Sequence, residues 1–157
     1  MKKIALFVDV QNIYYTTRDT YQRPFNYRKL WQVLSERGDI VQANAYAIDR
    51  GDEQQQKFQS ALKHIGFNIK LKPFIQRSDG SAKGDWDVGI TIDVLRSANE
   101  VDEVILLSGD GDFAILLDEI KQRDNVTTTV YGVLKLTANA LVQAADHFIP
   151  IEQDYLL

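Results

Sequence analysis

The sequence predicts an α/β fold built on a mostly parallel sheet covered on both faces, and three observations carry that expectation. Strand-like and helix-like stretches alternate from end to end, which implies right-handed βαβ units. Aspartates follow the apolar runs, where parallel strands should end. No repeat, low-complexity tract or linker interrupts the pattern, so residues 1–157 read as a single domain.

In chain order, the first strand covers 3–9, where the apolar run Ile4-Ala5-Leu6-Phe7-Val8 is closed by Asp9. A helix over 26–37 leads to a strand over 40–48, rich in β-branched and aromatic residues. A helix over 52–65 leads to a strand over 67–75. The segment 86–94 alternates apolar and polar residues, which by itself is a strand signal. It lies, however, between two strands that should run parallel, and a parallel crossover needs a dozen or more residues. A helix over 84–98 satisfies that connection. Then come a strand at 103–108, a helix at 112–123, a strand at 126–132, a helix at 137–145 and a last strand at 147–151. The stretch 76–84, with two glycines and small polar residues, reads as a long mobile loop that carries Arg77 and Lys83 towards Asp87.

Bulk composition narrows the function. A chain of 157 residues with 45% hydrophobic and 25% charged residues is ordinary for a soluble globular protein. There is no cysteine, which excludes disulfides and thiolate metal sites, and two histidines, His64 and His147, are too few for a typical zinc site. The run after Met-Lys-Lys is cut by Asp9, Gln11 and Asn12, so it is a strand and not a signal peptide. No apolar stretch approaches the ~18 residues of a membrane helix, so no membrane association and a cytoplasmic location are expected. The net charge of −4 argues mildly against a high-affinity, non-specific nucleic-acid binder, although 18 Lys and Arg could form a basic rim.

The acids carry the chemistry. In open α/β sheets ligands bind beyond the carboxyl ends of the strands, and Asp9, Asp110 and Asp112 stand there, with Asp87 after the polar loop. At an effective dielectric of 20, each like-charged pair ~4 Å apart costs about 4 kcal/mol. A divalent cation would remove that cost, which points to Mg²⁺ or Mn²⁺. A purely structural role has a mechanism too: Asp9 or Asn12 can cap a following helix, and Asp112 can cap one beginning at Phe113. Capping does not account for a carboxylate directly on the strand end, nor for two acids two residues apart in a glycine-flanked turn. Asn12 would position a phosphate oxygen or a water, and Ser108 would contribute a hydroxyl. Asp85 and Asp87 point 200° apart on a helix, and Asp93 lies 240° further round. Asp87 is therefore the site choice, Asp85 a cap or first-turn acid, and Asp93 a supporting group or the partner of a base elsewhere.

Other residues carry less. His64 ends a helix and His147 opens the last strand, both structural positions. Tyr14 and Tyr15 could stack on a base, but a tyrosine pair after a strand is more often partly core. Dinucleotide and NTP binding lack a glycine-rich phosphate cradle, and no G-x-S-x-G elbow exists for a serine hydrolase. An EF-hand read from Asp110 would need an acid where Lys121 stands.

Three segments in order, Val8-Asp9-Val10-Gln11-Asn12, then Lys83-Gly84 with Asp87-Val88 and Asp93, then Ser108-Gly109-Asp110-Gly111-Asp112-Phe113, resemble the NYN domain family, the LabA-like branch of the PIN-like nucleases. The closing Ala144-Ala145-Asp146-His147-Phe148-Ile149 is similar to that family's helix-to-strand end. The resemblance implies a three-layer Rossmann-like, PIN-type fold and metal-dependent hydrolysis of RNA phosphodiester bonds. It implies Asp9, Asp87, Asp110 and Asp112 as both catalytic and metal-holding residues for Mg²⁺ or Mn²⁺. Asn12, Ser108, Lys83 and Arg77 would bind the RNA. Two other readings stay open at this level: an RNA- or protein-binding module with weak or no cleavage, and a phosphatase acting on a small substrate. A homodimer is compatible with the sequence, and protein partners are not identified by it.

Overall fold

The computed structural model describes the backbone of residues 1–73, 75–76, 82–83 and 85–157, and the side chains of 1–72 and 85–157. Arg77 and the side chain of Lys83, expected to face phosphate, lie outside the described residues.

The elements run β1 (Lys3–Asp9), α1 (Val10–Tyr21), α2 (Tyr27–Arg37), β2 (Asp39–Asp49), α3 (Glu53–Ile65), β3 (Asn68–Pro73), β4 (Ile75–Gln76), β5 (Ala82–Lys83), α4 (Asp87–Ser97), β6 (Glu103–Leu107), α5 (Ala114–Asp124), β7 (Thr127–Gly132), α6 (Asn139–Ala144) and β8 (His147–Pro150). Six strands form one sheet in the order β3-β2-β1-β6-β7-β8, every pairing parallel. The expected α/β class and parallel sheet are thus present. The segment 86–94 is helical, as the crossover requires.

Three details depart from expectation. The twelve residues after Asp9 form a helix, α1, that the strand-helix alternation did not include. Its sequence, Val-Gln-Asn-Ile-Tyr-Tyr-Thr-Thr-Arg-Asp-Thr-Tyr, is rich in β-branched and aromatic residues of weak helix propensity. Burial of Val10, Ile13, Thr16 and Thr17 overrides that weakness, and both threonine hydroxyls donate back to carbonyls one turn earlier. The expected strand 67–75 ends at Pro73, and the ends of the 76–84 loop pair as a short antiparallel ribbon, Ile75 with Lys83 and Gln76 with Ala82. Helix α5 begins at Ala114, after a 3₁₀ turn over Gly111–Phe113.

Period-2 alternation along β1 divides the core. Ile4, Leu6 and Val8 face α1, α2 and α3, where they meet Ile13, Leu30, Leu34 and Leu62. Ala5 and Phe7 face α4 and α5, where they meet Ile90, Val94, Leu116 and Ile120. A central strand covered on both faces reads as a continuous apolar run, which is why β1 and β6 are the plainest segments of the sequence. The chain winds outward from β1 to β3, crosses back through α4 to β6 beside β1, and winds outward again. Direction reverses between β1 and β6, and a crevice opens at the carboxyl ends of those two strands.

At the opposite end of the same strands, the Glu103 side chain is fully buried at the start of β6. It meets Lys2 at 2.9 Å and Arg37 at 2.8 Å and accepts a hydrogen bond from Thr129. Burial pushes its carboxyl up, but the Thr129 and Lys2 contacts and the Arg37 charge hold it below the usual range. Breaking a buried ion pair strands the remaining charges. Because both cations are partly exposed, Glu103→Gln is expected to cost about 2 kcal/mol, a lowering of roughly 4–8 °C in Tm by thermal unfolding.

Candidate metal centre at the sheet switch point

Parallel pairing of Val8 with Leu107 sets the next residue of each strand, Asp9 and Ser108, side by side at the crevice. The Ser108 hydroxyl donates to Asp9 Oδ2 at 3.2 Å and accepts from the Asp110 N–H at 3.1 Å. Asp9 is also the N-cap of α1, its Oδ1 accepting from the Asn12 N–H at 3.4 Å. The Asn12 side-chain oxygen in turn accepts from the Gly109 N–H at 2.9 Å. These bonds tie the β1–α1 junction to the β6–α5 turn and fix the position of both.

The turn itself is Ser108-Gly109-Asp110-Gly111-Asp112. Asp110, not Asp112, is the cap: its Oδ1 accepts from the Asp112 N–H at 2.9 Å. That leaves the Asp112 carboxylate exposed and uncommitted to the turn's own backbone. A Cβ on Gly109 would stand 2.6 Å from the Leu136 backbone oxygen and 3.2 Å from Thr137 Cα. Only glycine lets the 133–138 segment come this close, where the Ala138 N–H donates to the Gly109 carbonyl. Gly109→Ala is expected to cost about 1–3 kcal/mol through that overlap, read as a lower Tm.

A further acid comes from the start of α4. Asp87 is its first residue, and the Asp87 N–H is accepted by Asp85 Oδ1 at 3.2 Å, so Asp85 is an exposed pre-helical turn residue. Asp87, Asp110 and Asp112 each offer a carboxylate oxygen, all within 4.8 Å of one another. Of the four acids expected at the site, these three converge directly. Asp9 is set back against Ser108 and partly buried; the Asp110 charge reaches it, and its own charge reaches Asp87.

Electrostatics follow from this crowding. Burial, chiefly, raises the Asp9 carboxyl to about 6; the neighbouring Asp110 and Asp85 charges add to the rise, and the Asn12 and Ser108 hydrogen bonds offset part of it. Asp87 is raised to about 7, by burial first and then by the hydrogen bond and charge of Asp110 and the charges of Asp85 and Asp9. Metal-free, the centre therefore holds protons near neutrality. Asp93 differs. Its burial is opposed by Lys70 Nζ at 2.6 Å and the Tyr46 hydroxyl at 2.7 Å, and it stays below the usual range. It has the base partner that the sequence left open, and it stands apart from the converging three.

A hard divalent cation suits this donor set. The donors are carboxylate oxygens alone, the choice of Mg²⁺ and Mn²⁺ over softer metals. Three carboxylate oxygens within 4.8 Å of one another are near enough for Asp87, Asp110 and Asp112 to share one such ion.

Ser108 is fully buried, with its hydroxyl engaged by Asp9 and Asp110. His64 is in the last turn of α3 and His147 opens β8. Tyr14, expected to be partly core, is 53% exposed. The cations the sequence reading missed are on β3. Lys70 pairs with Asp93, while Lys72 Nζ donates to the Asp85 carbonyl at 3.0 Å and lies 4.5 Å from the Trp86 ring centre. Their alternation in Asn68-Ile69-Lys70-Leu71-Lys72 was the available signal.

Comparison with known proteins gives the chain's family and fold. Residues 3–152 match the NYN domain family. The low amplitude and bright protein LabA of Synechococcus elongatus is 29% identical over 95% of this chain and 83% of its own length. A crystal structure of a Vibrio parahaemolyticus protein of unknown function superposes with a TM-score of 0.94 at 52% identity, covering 99% of this chain and 96% of that one. Ribokinase from Giardia lamblia, at 12% identity and a TM-score of 0.53 over 97% of this chain and 58% of its own, shares the fold alone.

Proposed function

Since the chain belongs to the NYN domain family, a PIN-like nuclease family, we propose that it is a metal-dependent ribonuclease whose centre is Asp87, Asp110 and Asp112, with Asp9 behind them. The observation that carries this reading is the convergence of three carboxylates from two separate helix starts at the sheet's switch point. Unneutralised, such a cluster is costly.

Asp87, Asp110 and Asp112 would hold Mg²⁺ or Mn²⁺, which when bound supplies Lewis-acid polarisation of phosphate and activation of water. The chain's own contribution is position. Ser108 and the Asn12 N–H hold the Asp9 carboxylate, Asn12 holds the Gly109 backbone, and Asp110 is anchored through Asp112. Metal-free, Asp87 is raised to about 7, so to hold the cation it must give up a proton near neutral pH. Lys72 and Arg50 stand at neighbouring strand ends as counter-charges for an RNA backbone.

The test is cleavage of single-stranded and structured RNA with Mn²⁺, with and without chelator. Cleavage that requires the metal supports the ribonuclease. Binding without cleavage would instead favour a binding module, and phosphate release from mononucleotides alone a small-substrate phosphatase. Among the described residues, no helix is long and apolar enough to cross a membrane.

A further inference from the structure

Directly after Asp9 in the chain, residues of α1 line a cleft of about 520 Å³ that opens between α1, the end of β2 and α3. Val10 and Gln11, the residues directly after Asp9, form its near wall, and Ala47 and Ile48 of β2 form its floor. The Ala47 carbonyl also accepts from the Trp86 indole N–H at 2.9 Å, one residue before Asp87. The cleft and the acidic cluster therefore share one continuous strand-end edge.

Its rim is aromatic and cationic. Tyr14 and Phe58 line it and are 53% and 37% exposed. Tyr14 and Tyr15 meet edge to face at 5.4 Å, and the Arg18 guanidinium lies 5.3 Å and 4.9 Å from their ring centres. Arg18 also approaches Asp19, at 3.8 Å. Arg50 Nη2 donates to the Tyr15 hydroxyl at 3.5 Å. Asp52, on the same wall, is occupied capping α3 through the Gln55 N–H at 2.7 Å.

Exposed rings beside guanidinium groups are the combination that holds unpaired bases, since every base has a face to stack and a phosphate to neutralise. The volume is within the range of small-ligand sites, about 300–1,000 Å³. We propose that this cleft binds a base of single-stranded RNA, stacked on Tyr14, with Arg18 and Arg50 facing its phosphate, so that the adjoining phosphodiester reaches the acidic centre. The proposal rests on the ribonuclease reading for its choice of ligand, and it selects single strands because a duplex hides its base faces.

Fluorescence anisotropy with a labelled ten-nucleotide RNA tests it in the Asp110→Asn background, chosen to slow any turnover. Tyr14→Ala is expected to weaken binding about tenfold, the lower part of the range for loss of one stacked base, while Tyr14→Phe keeps it. Because Tyr14 is exposed, both variants should fold, which circular dichroism verifies. Unchanged affinity in Tyr14→Ala, equal affinity for a duplex of the same sequence, or no RNA binding at all would each overturn the assignment. Cleavage by the wild-type protein is scored separately. Tyr14-dependent binding without metal-dependent cleavage leaves the cleft standing and removes the ribonuclease. Metal-dependent cleavage with Tyr14-independent binding does the reverse.

Discussion

Asp110→Asn is expected to reduce Mn²⁺-dependent RNA cleavage by on the order of a hundredfold or more, while the protein remains folded. The two halves of that expectation come from two uses of one side chain. As a cap, Asp110 needs only an oxygen to accept from the Asp112 N–H, and asparagine serves an N-cap as well as aspartate. As a metal-holding group it needs its charge. Replacing the acid leaves the turn intact and removes about a third of the converging negative charge, since three carboxylates make up the group. A hundredfold loss corresponds to about 2.7 kcal/mol of transition-state stabilisation, at 1.36 kcal/mol per factor of ten. The measurement is kcat/KM on a single RNA substrate beside a thermal melt. Residual cleavage that survives both the substitution and chelation would sink the proposed mechanism.

The second large effect is a stabilisation by divalent metal that depends on pH. Asp9 and Asp87 carry carboxyls raised to about 6 and about 7, above the unfolded value of 3.8. Between those values the folded chain binds more protons than the unfolded one. Stability from these two groups is therefore present at low pH and declines as pH rises from about 4 to about 7. A cation must displace those protons, so it binds better as pH rises. At a metal concentration a hundredfold above Kd the gain is about 2.7 kcal/mol, or roughly 5–10 °C in Tm for a chain of this size. The expected result is a small Tm shift with Mn²⁺ at pH 5 and the full shift at pH 8. Asp87→Asn should raise the Tm of the metal-free protein at pH 8 and abolish the metal's effect. A metal shift that is equal at both pH values, or that persists in Asp87→Asn, would show that the cation binds elsewhere.

Much of this molecule is readable without coordinates because its strands are buried on both faces. Ile4–Val8 and Val104–Leu107 have no polar side to confuse their assignment, and all six strands of the main sheet match the sequence reading to within two residues. Helix α4 was legible by topology and not by periodicity. Helix α1 was not legible, since Thr16, Thr17, Tyr14 and Tyr15 disguise it and burial against β1 and β2, with the Asp9 cap, stabilises it.

What the chain order alone determined is which acids end strands or open helices: Asp9, Asp110 and Asp112 follow from where apolar runs stop, and Asp87 from the start of the crossover helix after the polar loop. Tertiary structure decided how those acids divide their work. Pairing of β1 with β6 set Asp9 against Ser108, and packing of α4 across the sheet brought Asp87 to Asp110 and Asp112. It also removed Asp93 to Lys70 and Tyr46 and left Tyr14 facing outward beside Arg18. The physical reason is range. Local sequence specifies where an element begins and ends, whereas a charge takes its partner from whichever element lies within a few ångströms, and that neighbour comes from elsewhere along the chain.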